Sequence, residues 1–471
     1  MNREVTVIGG GLAGCEVALQ LATRGYQIRL IEQKPAARNA AQHSTDYCEL
    51  VCSNSFRGAA LTNAVGLLKE EMRLLGSHVI KAADMTQVPA GGALAVDRDQ
   101  FSHLMSRWLR EMPRIRLEVG CVESIPDARP VVIATGPLTA DALAQDLQRQ
   151  LGTDSIAYYD AIAPIVSADS INWDRVFVAS RWNKGNSEQD RQAYVNCPLT
   201  REEYLQLVTD LRNAEKVAPH AFEEPKYFEG CLPVEVMAER GERTLAFGPL
   251  KPVGLIDPRT SKRPYAVIQL RLENAERSAY NIVGFQTRMT QSSQLRIIRS
   301  IPGLENAVVE RYGSVHRNTF IDSPRVLDGY LRLQNDPGVW FAGQITGVEG
   351  YVESAACGLA VALLLDDVSN RRPPNLPPAT TALGSLLRHL SATGAPFQPS
   401  NVIFAQFPPL PDAPRKRNRA ERNEAMSQRA LSALSTWWHE RNEALTHDTP
   451  ANGDTESLKD ESMATVDRAL T

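Results

Sequence analysis

The chain lacks any uninterrupted apolar run approaching the roughly 20 residues that a membrane-spanning helix needs. It also has no basic stretch leading into an apolar one near its start, since residue 4 already opens an apolar segment. Neither a membrane protein nor a secreted precursor is expected, and the expected compartment is the cytoplasm. Cysteine is scarce and scattered: seven residues, Cys15, Cys48, Cys52, Cys121, Cys197, Cys231 and Cys357, with no small-protein framework spacing. That excludes a disulfide scaffold, so any chemically active cysteine works as a thiol. Cys48 and Cys52 enclose three residues, which fits neither a redox CxxC nor a zinc knuckle, and no metal site is expected. HExxH, Walker A and serine nucleophile-elbow motifs are absent. Neither charge sign dominates, with 51 basic and 55 acidic residues and a formal charge of -4. Nonspecific coating of nucleic acid is thereby disfavoured, while a local basic face stays open.

What is present is a glycine fingerprint. The apolar segment from Glu4 to Ile8 runs into Gly9, Gly10, Gly11, Leu12, Ala13 and Gly14, then a helical stretch, then a second apolar segment ending at Glu32. Gly9 makes the tight turn after a strand, and Gly11 leaves room for a pyrophosphate at a helix N-terminus. Gly14 lets helix and strand approach, and Glu32 stands where a ribose hydroxyl is bound. A dinucleotide site is the expectation. A second run, Gly343-Gln344-Ile-Thr-Gly347-Val-Glu-Gly-Tyr351, follows the apolar Trp340-Phe-Ala. A single mononucleotide unit has no need of it, whereas a large flavoprotein closes its cofactor site this way, so FAD is expected over NAD as the resident cofactor.

The organisation predicted is α/β: a Rossmann-like FAD-binding flavoprotein fold with an inserted α+β domain. Residues 1–155 form the first part of the FAD-binding domain, 156–330 the inserted substrate domain, and 331–440 the return part with a C-terminal helix. A disordered tail is expected over 441–471, where apolar residues are few. Helices are predicted over 61–75, ended by Gly76, and over 99–112, stopped by Pro113; strands are predicted over 116–119 and 130–134.

Two cysteines stand out. Cys52 lies in the polar segment Glu49-Leu-Val-Cys-Ser-Asn-Ser-Phe-Arg57-Gly58, with Arg57 a candidate to stabilise a thiolate. Cys231 lies in Tyr227-Phe-Glu-Gly-Cys-Leu-Pro-Val-Glu235. Most cysteines are small buried hydrophobes, so context alone leaves both open. Arg296, Arg299, Arg311, His316-Arg317 and the cluster 415–422 are the basic candidates, and Tyr351 is placed to stack or hydrogen-bond beside a flavin.

These segments together resemble the folate- and FAD-dependent tRNA (uracil-5-)-methyltransferases, the TrmFO family. The resemblance is carried by residues 7–16, 49–55, 63–72, 88–98, 227–235, 247–255, 316–319 and 343–351, and it runs to about residue 435. It implies transfer of a one-carbon unit from 5,10-methylenetetrahydrofolate to C5 of uridine 54 in the tRNA T-loop, with FAD reduced by NADPH or NADH. The family's two functional cysteines correspond to Cys52 and Cys231, expected to act as partner thiol beside the flavin and as the nucleophile on uracil C6. Lys251, Arg317, Arg415, Lys416 and Arg417 are expected to contact RNA. No stable protein partner is implied beyond a monomer or weak homodimer. His78 departs from the family pattern, which favours a plain aliphatic there. A flavin oxidoreductase of a small metabolite, a nonenzymatic RNA-binding flavoprotein and the same methylation of ribosomal RNA are the rival readings.

Overall fold

The computed structural model describes residues 3–38, 42–152, 156–161, 163–185, 187–217, 232–392, 397, 399–411 and 419–447. The first sheet contains β1 (Glu4–Ile8), β2 (Gln27–Glu32), β6 (Ile115–Val119), β7 (Val131–Ile133), β16 (Arg332–Leu333) and β17 (Asp336–Phe341). Its order is β16-β17-β7-β1-β2-β6, parallel except for the antiparallel edge strand β16. Chain direction across the sheet reverses between β1 and β7, and in open α/β sheets ligands bind at the carboxyl ends of strands flanking such a reversal.

Local sequence explains these elements. Val5, Val7 and Ile8 are all buried, as expected of a central parallel strand covered on both faces. The helix Leu12–Thr23 is buried from Leu12 to Ala22 and rich in small residues, so it can lie close against the long helix Tyr351–Ser369. At their contact a Cβ on Gly358 would fall 2.4 Å from the Ala13 carbonyl oxygen. The helix predicted over 61–75 spans Ala64–Leu74, because Ala60 to Asn63 form a turn ahead of it. The one predicted over 99–112 spans Arg98–Glu111, since Asp97 caps it by accepting from the Asp99 and Gln100 amides.

A second sheet contains β9 (Ile165–Ser167), β10 (Phe177–Val178), β11 (Tyr194–Leu199), β12 (Ala266–Leu272), β13 (Ala279–Ile282) and β14 (Val309–Arg311). It is wholly antiparallel, with the order β10-β11-β12-β13-β9-β14. The chain passes from the first region to the second along β8 (Ile156–Ala161) and returns along β15 (Val315–Phe320), and these two strands pair with each other. A small sheet of β3 (Ser55–Gly58), β5 (Ala93–Val96) and β4 (Gln87–Val88) lies between the two regions. Val88, Ala90 and Ala95 belong to the apolar core of the second sheet, although they precede it by many residues.

The C-terminal helix runs Arg419–His447, past the boundary at 440 expected from composition. Arg441 is the reason. It is 5% exposed, its Nη2 donates to the Leu363 carbonyl at 2.8 Å, and its Nη1 pairs with Asp367. The tail from 448 onward, expected to be disordered, lies outside the described residues. Among the described residues no helix is long and apolar enough to cross a membrane, and no cluster of His, Cys, Asp and Glu could hold a metal ion.

Candidate functional site

The first glycine run forms the turn between β1 and its helix. Gly9 has φ +104°, and a Cβ there would meet the Ala134 carbonyl oxygen at 2.5 Å. A Cβ on Gly14 would stand 1.9 Å from the Gly9 oxygen, so helix and turn meet backbone to backbone. Glu32, at the end of β2, orders the loop: its Oε2 accepts the Gly10 N–H at 2.6 Å and its Oε1 accepts the Lys34 N–H at 3.1 Å.

A cleft of about 980 Å³ opens over this loop at the carboxyl ends of the strands. Gly9, Gly11, Leu12, Ala13 and Glu32 line it, with Gly120 and Cys121 after β6, Thr135 to Ala140 after β7, and Gln344, Tyr351 and Ser354 from the second glycine run and its helix. Gly10, Gly14, Gly343 and Gly347 are not on its wall. Gly343, at φ +82°, lets the return turn approach Ala13 Cβ, and Gly347, at φ +88°, packs on Phe397. Cβ atoms on Gly11 and Gly136 would meet no heavy atom within 4 Å, so each glycine leaves room on a wall where a ligand can touch backbone. A dinucleotide such as FAD fits these residues.

Cys52 stands where this cleft meets the second sheet. Tyr351 Oη accepts the Cys52 N–H at 2.8 Å and the Ser53 N–H at 3.1 Å. Burial first, then the neighbouring Cys52, raises the Tyr351 phenol above its ordinary pKa, so it stays protonated. Asn54 fixes the next residue, donating to the carbonyls of Val96 at 2.9 Å, Leu272 at 3.0 Å and Glu273 at 3.2 Å. Arg311 Nη2 reaches the Cys52 carbonyl at 3.4 Å, and Arg98 donates to that of Leu50 while pairing with Glu273. Burial, then the adjacent Arg98, pushes the Arg311 guanidinium down to about 10.

Arg57 does not serve Cys52 as the sequence suggested. It has φ +63° in β3 and pairs with the buried carboxylate of Glu353, so the charge beside Cys52 comes from Arg98 and Arg311. Lys69 lies beneath the same strand, donating to the carbonyls of Phe56 at 2.9 Å and Gly58 at 2.8 Å.

Of the other candidates, Lys251 lies on the second region's surface, on a different cleft from the glycine loops. Arg317 is on β15 opposite Tyr159, and the Thr319 N–H of the same strand reaches the Pro137 carbonyl at the dinucleotide cleft. Cys231, Arg415, Lys416 and Arg417 lie outside the described residues. Sequence reasoning missed Arg98, Cys121 and the Thr135–Ala140 loop. Gly120, directly after β6, and Gly136, three residues past the end of β7, were the available signal for the last two.

The parallel sheet, its reversal point and two glycine turns facing one cleft define an α/β protein of the flavoprotein dinucleotide-binding type. The family model for glucose inhibited division protein A matches residues 4–372. Solved GidA of Aquifex aeolicus superposes with a TM-score of 0.65 at 17% identity, covering 94% of this chain and 75% of that one, a likeness of fold. The Methylenetetrahydrofolate--tRNA-(uracil-5-)-methyltransferase TrmFO of Syntrophotalea carbinolica is 52% identical over 444 residues, covering 94% of this chain and 95% of its own. That of Lactobacillus gasseri is 49% identical over 442 residues, covering 94% and 99%. The chain belongs to the TrmFO family.

Proposed function

We propose that the protein methylates C5 of uridine 54 in the tRNA T-loop with the one-carbon unit of 5,10-methylenetetrahydrofolate, yielding 5-methyluridine and tetrahydrofolate. The observation that carries this reading is near-50% identity, over more than nine-tenths of the chain, to relatives named for that activity. When bound, FAD reduced by NADPH or NADH supplies the reducing equivalents that a methylene needs to become a methyl group. Gly9, Gly11, Glu32 and the Thr135–Ala140 loop would hold it from one side, and Gln344 and Tyr351 from the other.

The chain's own residues account for the rest. C5 of uracil is a weak nucleophile until a thiolate adds at C6, and Cys231 is assigned that addition. Cys52, held by Tyr351 at the rim of the dinucleotide cleft, is assigned the partner role there. Arg98 and Arg311 bring positive charge to a loop whose cysteine works best as a thiolate. The uridine must leave its stack to reach the cleft, at a cost of a few kcal/mol that contacts to the RNA backbone offset. Arg317, Lys251 and the basic residues Arg415, Lys416 and Arg417 are assigned part of those contacts. A cytoplasmic location accords with a tRNA substrate.

The direct test is methylation of an unmodified tRNA transcript with methylenetetrahydrofolate and NAD(P)H, followed by mapping of the product base. Methyl groups at another base, or NADPH oxidation indifferent to tRNA and folate, would refute the reading. Transcripts containing 5-fluorouracil test the cysteines: loss of the C6 adduct in Cys231→Ala but not in Cys52→Ala is expected, and an undiminished adduct in Cys231→Ala would reverse the assignment.

A further inference from the structure

A second cleft, of about 1000 Å³, opens on the second region between the β4–β5 turn and the segments 180–184 and 251–253. Gly91, Gly92, Arg181, Trp182, Lys184 and Lys251 line it, and no carboxylate does. That separates it from the polar hollow behind Cys52, where Asp99, Asp169, Glu273 and Glu310 surround the arginines.

The segment is built to display an aromatic ring. Trp182 is 66% exposed, an unusual state for so large an apolar side chain, and both it and Asn183 sit in the left-handed region at φ +59° and +52°. Its backbone is nevertheless fixed. The Trp182 N–H donates to the Gly254 carbonyl at 2.9 Å, and the indole lies against Gly254, where a Cβ would come within 2.8 Å of the ring. Next to it Arg181 directs Nε to Gln269 Oε1 at 2.8 Å and Nη1 to the carbonyls of Lys251 and Val253. Arg181 thus clamps the two segments together, and the exposed cations are those of Lys184 and Lys251. Neither ammonium is in an ion pair among the described residues. An open aromatic face, two uncommitted cations and a glycine turn that exposes backbone are what an unstacked nucleotide and its phosphates require.

Position agrees. Ala93 edges this cleft, and along the same strand Ala95 pairs with Ser55, three residues beyond Cys52. Five residues at 3.3 Å and one strand-to-strand step of about 5 Å put this edge of the cleft within about 22 Å of Cys52, a span that a few nucleotides cover.

We propose that this cleft is a docking subsite for the RNA substrate, with one base stacked on Trp182 and flanking phosphates on Lys184 and Lys251. It rests on the tRNA reading above. The test measures binding of an unmodified tRNA transcript across a salt series, alongside methylation and the flavin spectrum, for wild type, Trp182→Ala, Trp182→Phe and Lys184→Ala/Lys251→Ala. Trp182→Ala is expected to weaken binding about 5- to 100-fold and Trp182→Phe far less, because the aromatic face remains. The lysine pair is expected to flatten the slope of log affinity against log salt by about 1.4, two contacts at roughly 0.7 each. Methylenetetrahydrofolate KM is expected to be unchanged. If Trp182→Ala fails to fold, Trp182→Phe and the surface lysines still decide the question. Wild-type affinity and slope in the variants would overturn the proposal, as would a raised KM for methylenetetrahydrofolate with RNA binding intact, which would give the cleft to the anionic tail of the folate. A wild-type protein that neither binds nor methylates the transcript defeats the tRNA reading itself, a result distinguishable from failure of the subsite alone.

Discussion

One phenol oxygen ties the return arm of the dinucleotide cleft to the Cys52 loop: Tyr351 Oη accepts both the Cys52 and Ser53 amides, at 2.8 and 3.1 Å. Tyr351→Phe keeps the ring, which packs 5.9 Å from Phe56, and strips two amides of their acceptor. The expected result is a stability loss of about 1–3 kcal/mol and a fall of roughly 10- to 100-fold in single-turnover methylation, about the scale of a misplaced catalytic group, with tRNA affinity unchanged. Thermal melts and rapid-quench kinetics read the two effects separately. A variant matching wild type in both would show that the phenol positions nothing.

Arg98 and Glu273 form a buried pair, with side chains 11% and 8% exposed. Arg98→Met leaves the carboxylate without its partner and is expected to cost about 3–5 kcal/mol. Adding Glu273→Met should recover part of that loss. Recovery should be incomplete, because Arg311 then loses the nearby carboxylate that favours its charge. Denaturant titration of the cycle measures the coupling, and strictly additive effects would refute it.

Gly11 and Gly14 separate packing from ligand binding. Gly14→Ala places a methyl group on the Gly9 carbonyl and is expected to lower stability by about 1–3 kcal/mol, with or without flavin. Gly11→Ala meets nothing in the protein, so the apoprotein melt should be unchanged while flavin affinity drops at least tenfold. Fluorescence titration of the apoproteins with FAD checks both.

His78 supplies a pH dependence. Burial, then Lys81 and Arg24, lowers its pKa from 6.5 to about 4. Between those values the unfolded chain holds the extra proton, so stability falls as the pH drops from 6.5 towards 4 and is unaffected by this group above 6.5. The contribution is on the order of 3 kcal/mol. His78→Phe, which keeps a ring near Trp108, should flatten the stability profile over that window alone. Chemical denaturation at a series of pH values reads it out.

The dinucleotide site was legible because its signals are local. A strand, glycines at fixed offsets and an acid at the end of the next strand all fall within residues 4–32; backbone contacts demand Gly9 and Gly14, and Gly11 keeps a wall open for a ligand. The surroundings of Cys52 were not legible, because they are assembled across the chain. Glu273 is 175 residues from Arg98, and Arg311 is 259 from Cys52. Arg57, five residues along, was the nearest cation in sequence, but the left-handed backbone at that position turns it towards Glu353. Composition placed the end of the last helix at 440 because a single buried contact, Arg441 with Asp367, has no compositional signature.

The strand order of the first sheet carries a consequence for how the protein is made. β17 must pair with β7, matching Val339 to Val131, before Gln344 and Tyr351 can form the second wall of the cleft. A chain emerging from the ribosome therefore displays its glycine fingerprint long before it can retain a nucleotide, and everything between β7 and β17 has to be translated first. Cofactor capture is therefore expected to follow translation of β17. Nascent chains arrested near residue 330 should carry no flavin, and under flavin limitation the apoprotein that accumulates should be full-length and already folded around β1 and β2.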